Sequence, residues 1–217
     1  MNVKTCTQFA VCAILLAWIQ TAAAAYQVTI DTPGLSGTTA SMAFDFIDGG
    51  PPSNGITVGT FSTDGTLGAA TPTGGVTGAL PSGFVLTDTT FFNEYLQNNV
   101  LGGSIAFTFS ATSNAPAGAS IPDTFSFFLI DPGTGLPLFN TTDPTGAASL
   151  FTLQIDGSAD GLLSVYRDSA TGSSVNWTVT DLAAVAAVPE PATAILVGLG
   201  LLVVLAQVSG RRRASIS

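Results

Sequence analysis

The chain has 217 residues, with fourteen acidic side chains against five basic ones, no histidine, and a net charge of −9. The missing histidine excludes Ser-His-Asp and Cys-His triads and His-ligated zinc. The skew is concentrated between Tyr26 and Val188, where twelve Asp and one Glu face a single base, Arg167, for a net charge of −12. Nothing there neutralises phosphates, so nucleic acid is excluded as a partner, and self-repulsion keeps such a stretch soluble.

In chain order, Lys4 precedes an apolar run from Phe9 to Ile19, and Ala23-Ala24-Ala25 then offers small residues before Tyr26. Those are the three regions of a secretory signal peptide over residues 1–25, with signal peptidase cutting at Ala23, Ala25 and Tyr26. Cys12 lies inside the apolar run and not at its end, which argues against a lipoprotein site. Cys6 and Cys12 are the only cysteines and leave with the signal, so the mature chain has no disulfide framework. Tyr26 to Val188 is long enough for one domain with a substantial core.

Within residues 26–182 the pattern is all-β. Short runs rich in β-branched and aromatic residues span Tyr26 to Ile30, Ala43 to Ile47, Ile56 to Phe61, Gly83 to Thr87, Ile105 to Phe109, Thr124 to Ile130, Phe151 to Ile155, Leu162 to Tyr166 and Val175 to Val179. Several alternate cleanly, as in Ile105, Phe107, Phe109 and in Phe125, Phe127, Leu129, which suits antiparallel sheets with one buried and one wet face. Asp48-Gly49, Asp64-Gly65, Asp131-Pro132, Asp143-Pro144 and Asp156-Gly157 are turn signals with a mechanism, Gly for positive φ and Asp for bonding its own following backbone. The expected fold is an antiparallel β-sandwich of jelly-roll type. Two stretches depart from it. Gly65 to Pro81, rich in Gly, Thr and Pro, reads as a long surface loop. Phe91, Phe92, Tyr95, Leu96 and Val100 fall at helical spacing, which predicts one short helix over Thr90 to Leu101 with its aromatic face in the core. Residues 183–188 read as a linker.

With no Cys or Lys in the mature domain, carboxylates carry whatever chemistry there is. A glycoside hydrolase needs two of them about 5 to 9.5 Å apart; Glu94 with Asp45 or Asp88 is the candidate pair, although most aspartates have turn roles already, and the expectation is that the protein is not an enzyme. Calcium suits oxygen-rich turn loops better. Asp45, Asp48 and Asn54 in one loop region are the candidate ligands, without an EF-hand pattern.

The last thirty residues organise the rest. Pro189 and Pro191 lack a backbone N–H and keep the chain around Glu190 extended. Ala192 to Val208 carries no charge; as a helix it would be roughly 25 Å long, at the short end for a transmembrane span. Arg211, Arg212 and Arg213 then favour a cytoplasmic C-terminus. A plain C-terminal anchor would have the last two parts without the first. In order and spacing, Val188-Pro189-Glu190-Pro191, the apolar stretch and the Arg cluster resemble the PEP-CTERM sorting signal of Gram-negative bacteria, here over residues 189–213. The resemblance implies recognition and cleavage near Pro189, Glu190 and Pro191 by an exosortase, transient anchoring in the inner membrane, and release to the cell surface or an extracellular polysaccharide matrix. The segment Phe44-Asp45-Phe46-Ile47-Asp48-Gly49-Gly50 is also similar to one found in small proteins of that class, a group whose likeness adds no mechanism. The expectation is a non-enzymatic surface or matrix protein; a carbohydrate-binding module, calcium-assisted or not, is the alternative.

Overall fold

The computed structural model describes residues 24–51, 53–114, 121–158, 161–170 and 175–182. The linker, the PEP motif, the apolar stretch, the Arg cluster and most of the signal peptide, Ala23 included, lie outside them. The chain divides after Ala183, and every described residue belongs to the first unit. Among the described residues no helix is long and apolar enough to cross a membrane.

The described residues form twelve strands: β1 (Ala24–Asp31), β2 (Thr39–Ile47), β3 (Gly55–Thr63), β4 (Thr66–Thr73), β5 (Gly75–Ala79), β6 (Gly83–Thr87), β7 (Phe92–Val100), β8 (Ser104–Ala111), β9 (Asp123–Ile130), β10 (Phe151–Ile155), β11 (Leu162–Val165) and β12 (Asn176–Asp181). They make two six-stranded antiparallel sheets, ordered β12-β1-β8-β3-β6-β5 and β11-β10-β9-β2-β7-β4. Strand β1 pairs with β8, β2 with β7, and β3 with β6. This nested pairing is the wrapping of a jelly roll, modified in that β5 leaves β4 and joins β6 in the other sheet. Strand β1 starts two residues before Tyr26, with Ala24 and Ala25 opposite Ala111 and Ser110.

The alternating faces pack as their periodicity predicts. Phe44 and Phe127 from one sheet meet Phe84 and Phe107 from the other, with ring centroids 4.8 to 5.2 Å apart around Phe44. Phe109 stacks on Phe151 across the same interior. Edge-to-face and offset contacts of this kind add to the burial of the rings themselves.

Three expectations fail. Residues Thr90 to Leu101 are not a helix; most of them form β7, whose inward positions are Asn93, Tyr95, Gln97 and Asn99. Only Tyr95 of the expected aromatic core face is buried, and Phe91 is 72% exposed. The stretch Gly65 to Pro81 is not a loop but the ribbon β4–β5, turned at Gly74 with φ +71°. The two corrections have one cause. The inward polar side chains of β7 hold the ribbon: Tyr95 Oη accepts the Leu80 N–H at 3.0 Å, Asn93 Oδ1 accepts the Gly75 N–H at 2.8 Å, and Gln97 Nε2 donates to the Gly68 carbonyl at 2.9 Å. Gly68 lies where β4 slips register against β7, so the Gln97 amide takes up a carbonyl that the bulge leaves out of the ladder. Finally, the outer face of the second sheet is not uniformly wet. Ser126 is only 8% exposed, and residues of the 131–150 segment, such as Pro137 paired to Ile130, lie over that face.

Candidate functional site

Two groups of carboxylates stand out, and both divide the candidate calcium ligands differently from the sequence reading. The first lies at one pole of the sandwich. Asp48 follows the end of β2, Asp123 opens its antiparallel neighbour β9, and Asp88 follows the end of β6 in the other sheet. Antiparallel pairing therefore brings three acidic residues, distant in sequence, to the same end. One carboxylate oxygen from each lies within 4.8 Å of the others.

Local backbone geometry builds this pole. Gly49 makes a close approach: a Cβ there would sit 2.4 Å from the Ile121 carbonyl oxygen, so only glycine lets the strand before Asp123 come this near. Its N–H donates to Asp123 Oδ1 at 2.7 Å. Gly50 donates to Asp48 Oδ1 at 2.6 Å, the expected bond of an Asp to its own following backbone. Asn54 ties the pole together, its Nδ2 donating to Asp123 Oδ2 at 2.8 Å and its backbone N–H to Asp88 Oδ2. Its own Oδ1 accepts the Asn114 N–H at 2.8 Å. Burial pushes the Asp123 carboxyl up, the bonds from Asn54 and Gly49 pull it down, and the charges of Asp88 and Asp48 push it up again. Three carboxylates so close, one of them only 2% exposed, repel each other unless a cation or protons intervene. All-oxygen, carboxylate-rich surroundings suit a hard cation such as calcium.

Asp48 and Asn54 thus come together, Asn54 bracing ligands. Asp45 does not join them. Strand alternation turns it to the outer face of β2, directly opposite Glu94 on β7. Asp123 is not singled out in the sequence and Asp88 is read there only as a possible partner of Glu94, because single aspartates at strand ends look like turn residues. The available signal was their position, each flanking a predicted strand whose end the sandwich topology brings to the same pole.

The second group is the pair Asp45 and Glu94. It opens into a cleft of about 250 Å3 lined also by Ala43, Phe128, Ile130 and Pro137. Burial first, then the charge of Glu94 and a hydrogen bond with it, push the Asp45 carboxyl up to about 7. Burial pushes Glu94 up as well. Asp45 Oδ1 is buried and receives no N–H or O–H from the described residues, which adds to the cost of ionising this carboxyl. The candidate carboxylate pair Asp45 and Glu94 is thus brought face to face across β2 and β7, with both groups pushed up by burial.

Other aspartates keep turn roles: Asp131, Asp143, Asp156 and Asp168 each accept the N–H two residues on, from Gly133, Thr145, Ser158 and Ala170. Asp143 also accepts the Ser149 N–H and hydroxyl, organising the segment over the second sheet.

Compared with known proteins, residues 187–213 match the family model of the PEP-CTERM protein-sorting motif. No curated protein and no solved structure matches the chain. The match spans the Pro-Glu-Pro, the apolar stretch and the Arg cluster, and leaves the β-sandwich unassigned.

Proposed function

We propose that this chain is the precursor of a non-enzymatic surface or extracellular-matrix protein. The PEP-CTERM protein-sorting motif at residues 187–213 is the single observation that carries the reading, since it marks an exported protein processed by an exosortase. Each part of the tail has a physical role. Pro189 and Pro191 lack a backbone N–H and flank Glu190 in the motif that the exosortase would recognise. The uncharged stretch from Ala192 to Val208 keeps the substrate in the inner membrane, and Arg211 to Arg213 set its orientation. A domain without His, Cys or Lys offers few groups for catalysis, which supports a structural or binding role. Intact-mass analysis of protein from an exosortase-bearing host tests this. The expected species has lost its N-terminal signal and its Arg211–Arg213 tail; recovery of mainly full-length chain overturns the reading.

A second reading concerns the sandwich itself. Convergence of Asp48, Asp88 and Asp123 at one pole, in a domain with one base, supports calcium as a brace between the two sheets. Millimolar calcium then raises the melting temperature by binding only the folded state. Asp88→Asn abolishes the shift, whereas Asp45→Asn, on the other face, leaves it intact. An unchanged melting temperature in the wild type returns all three aspartates to turn and capping roles.

A further inference from the structure

Away from both carboxylate groups, a cleft of about 430 Å3 lies between the stretch following β11 and the start of β12, the edge strands of the two sheets. We infer that this cleft binds a neutral pyranose unit of a polysaccharide. The inference depends on neither the sorting reading nor the calcium reading.

The walls are held in place before any ligand arrives. Tyr166 and Arg167 stand on one side, Asn176 and Trp177 on the other. The Leu150 carbonyl ties the two sides together, accepting the Tyr166 N–H at 3.0 Å and the Trp177 Nε1–H at 2.9 Å. The backbone of Arg167 is laced to Thr142, donating to its Oγ1 at 3.1 Å and accepting its N–H at 2.8 Å. Phe139 packs beside the indole with ring centroids 5.8 Å apart, and the Tyr166 hydroxyl lies 3.3 Å from Thr152 Oγ1. A site fixed in this way loses little freedom when it is filled.

The chemistry inside is that of sugar recognition. A pyranose ring has an apolar C–H face whose hydrogens carry partial positive charge, and these pack on the negative face of an indole. Its vicinal hydroxyls need paired donors and acceptors. Arg167 brings five donors in a fixed fork, and Asn176 brings donors and an acceptor. Arg167 is the sole base of a stretch with net charge −12, and among the described residues its guanidinium makes no ion pair. Its place at this cleft, where it lies beside an indole and away from the acidic pole, fits hydrogen bonding to a ligand. Asp168 and the surrounding negative field disfavour an anionic sugar, so the ligand is neutral. The volume falls within the roughly 300–1,000 Å3 of small-molecule sites.

The test titrates the full chain, in a zwitterionic detergent without a sugar headgroup, with neutral pentasaccharides of glucose, mannose and galactose and with a galacturonate oligomer as the anionic comparator. Calorimetry reports affinity, and tryptophan fluorescence reports the site, with Trp177→Phe subtracting the signal of Trp18. Binding of at least one neutral sugar is expected, unaffected by a calcium chelator and weakened about tenfold by Arg167→Ala, the loss of a charged hydrogen bond. Arg167 is exposed, and among the described residues no hydrogen bond from its guanidinium is seen, so the variant should melt as the wild type does. Absence of binding to all three neutral sugars, equal affinity in Arg167→Ala, or tighter binding of galacturonate would each overturn the assignment.

Discussion

Phe107 is fully buried and meets Phe44, Phe127 and Phe151 across the interior. Truncating it to alanine leaves a cavity that two hydrogen-bonded sheets cannot collapse to fill. The expected cost is about 3–5 kcal/mol in urea unfolding, a large share of a typical total of about 5–15 kcal/mol. Thr108, next along β8 and only half-buried, should change stability by no more than about 0.5 kcal/mol as alanine. Equal losses would mean that both faces of β8 are core. Asp45 carries a different prediction. Its folded carboxyl titrates near 7, pushed up by burial, the Glu94 charge and their hydrogen bond, whereas unfolded it ionises near its ordinary value of 3.8. Between those values the folded state binds more protons, so stability falls as pH rises across the window. Asp64 and Asp156 are held low by bonds from Ser104 and Ser158, and in Asp143 the bonds from Ser149 and Thr145 outweigh burial. Their contributions are lost only as pH drops below the usual carboxylate range. The domain should therefore be most stable near about pH 4 to 5, between these two windows. In calcium-free buffer Asp45→Asn reduces the slope of unfolding midpoint against pH between 5 and 8, leaving the smaller parts due to Glu94 and Asp123, both also pushed up by burial. An unchanged slope would show that Asp45 titrates normally.

At the scale of elements, β7 explains both misread stretches. Its buried side chains are Asn93, Tyr95, Gln97 and Asn99, so a search for alternating apolar residues passes over it. Phe91, Phe92, Tyr95 and Leu96 meanwhile imitate a helical face, although in the strand they point in different directions. Asn93, Tyr95 and Gln97 are tolerated inside because the Gly- and Thr-rich ribbon β4–β5 brings backbone groups that need partners, whereas the Asn99 amide has none among the described residues. Gln97→Leu tests this. Leucine is more apolar and fits a buried site, yet it leaves the Gly68 carbonyl without the amide, and the expected loss is about 1–3 kcal/mol. A gain in stability would show that water or the ladder already serves that carbonyl. Glycine matters in the same ribbon: a Cβ on Gly75 would sit 2.2 Å from Thr89 Oγ1 and 2.6 Å from the Thr87 carbonyl oxygen. The remaining strands were legible because their inward residues are mostly apolar, as in Val28 and Ile30 of β1 or Phe125, Phe127 and Leu129 of β9.

At the scale of the whole molecule, twelve aspartates and a glutamate surround a core that has no disulfide to support it. Mutual repulsion raises the free energy of the compact state, and screening relieves it. Sodium chloride added to about one Debye length of 3 Å, near 1 M, should raise the unfolding midpoint modestly. A fall would mean that attractive pairs outweigh the repulsion.

The local chemistry of the chain determined a good deal by itself. Period-two apolar runs dictate strands with one buried face, Asp-Gly pairs dictate turns, and the order of Pro-Glu-Pro, uncharged stretch and arginines identifies a sorting motif, because each depends on neighbours within a few residues. Tertiary structure decided what depends on residues far apart. Asp48, Asp88 and Asp123 meet only because β2 and β6 end, and β9 begins, at one pole. Asp45 faces Glu94 only because antiparallel register sets β2 against β7. Trp177 and Arg167 share a cleft only because the edge strands of two sheets lie side by side, both bound to one carbonyl at Leu150. Strand pairing between distant segments is a global choice of register and order, fixed by the total burial of the core, and no local window of sequence contains it.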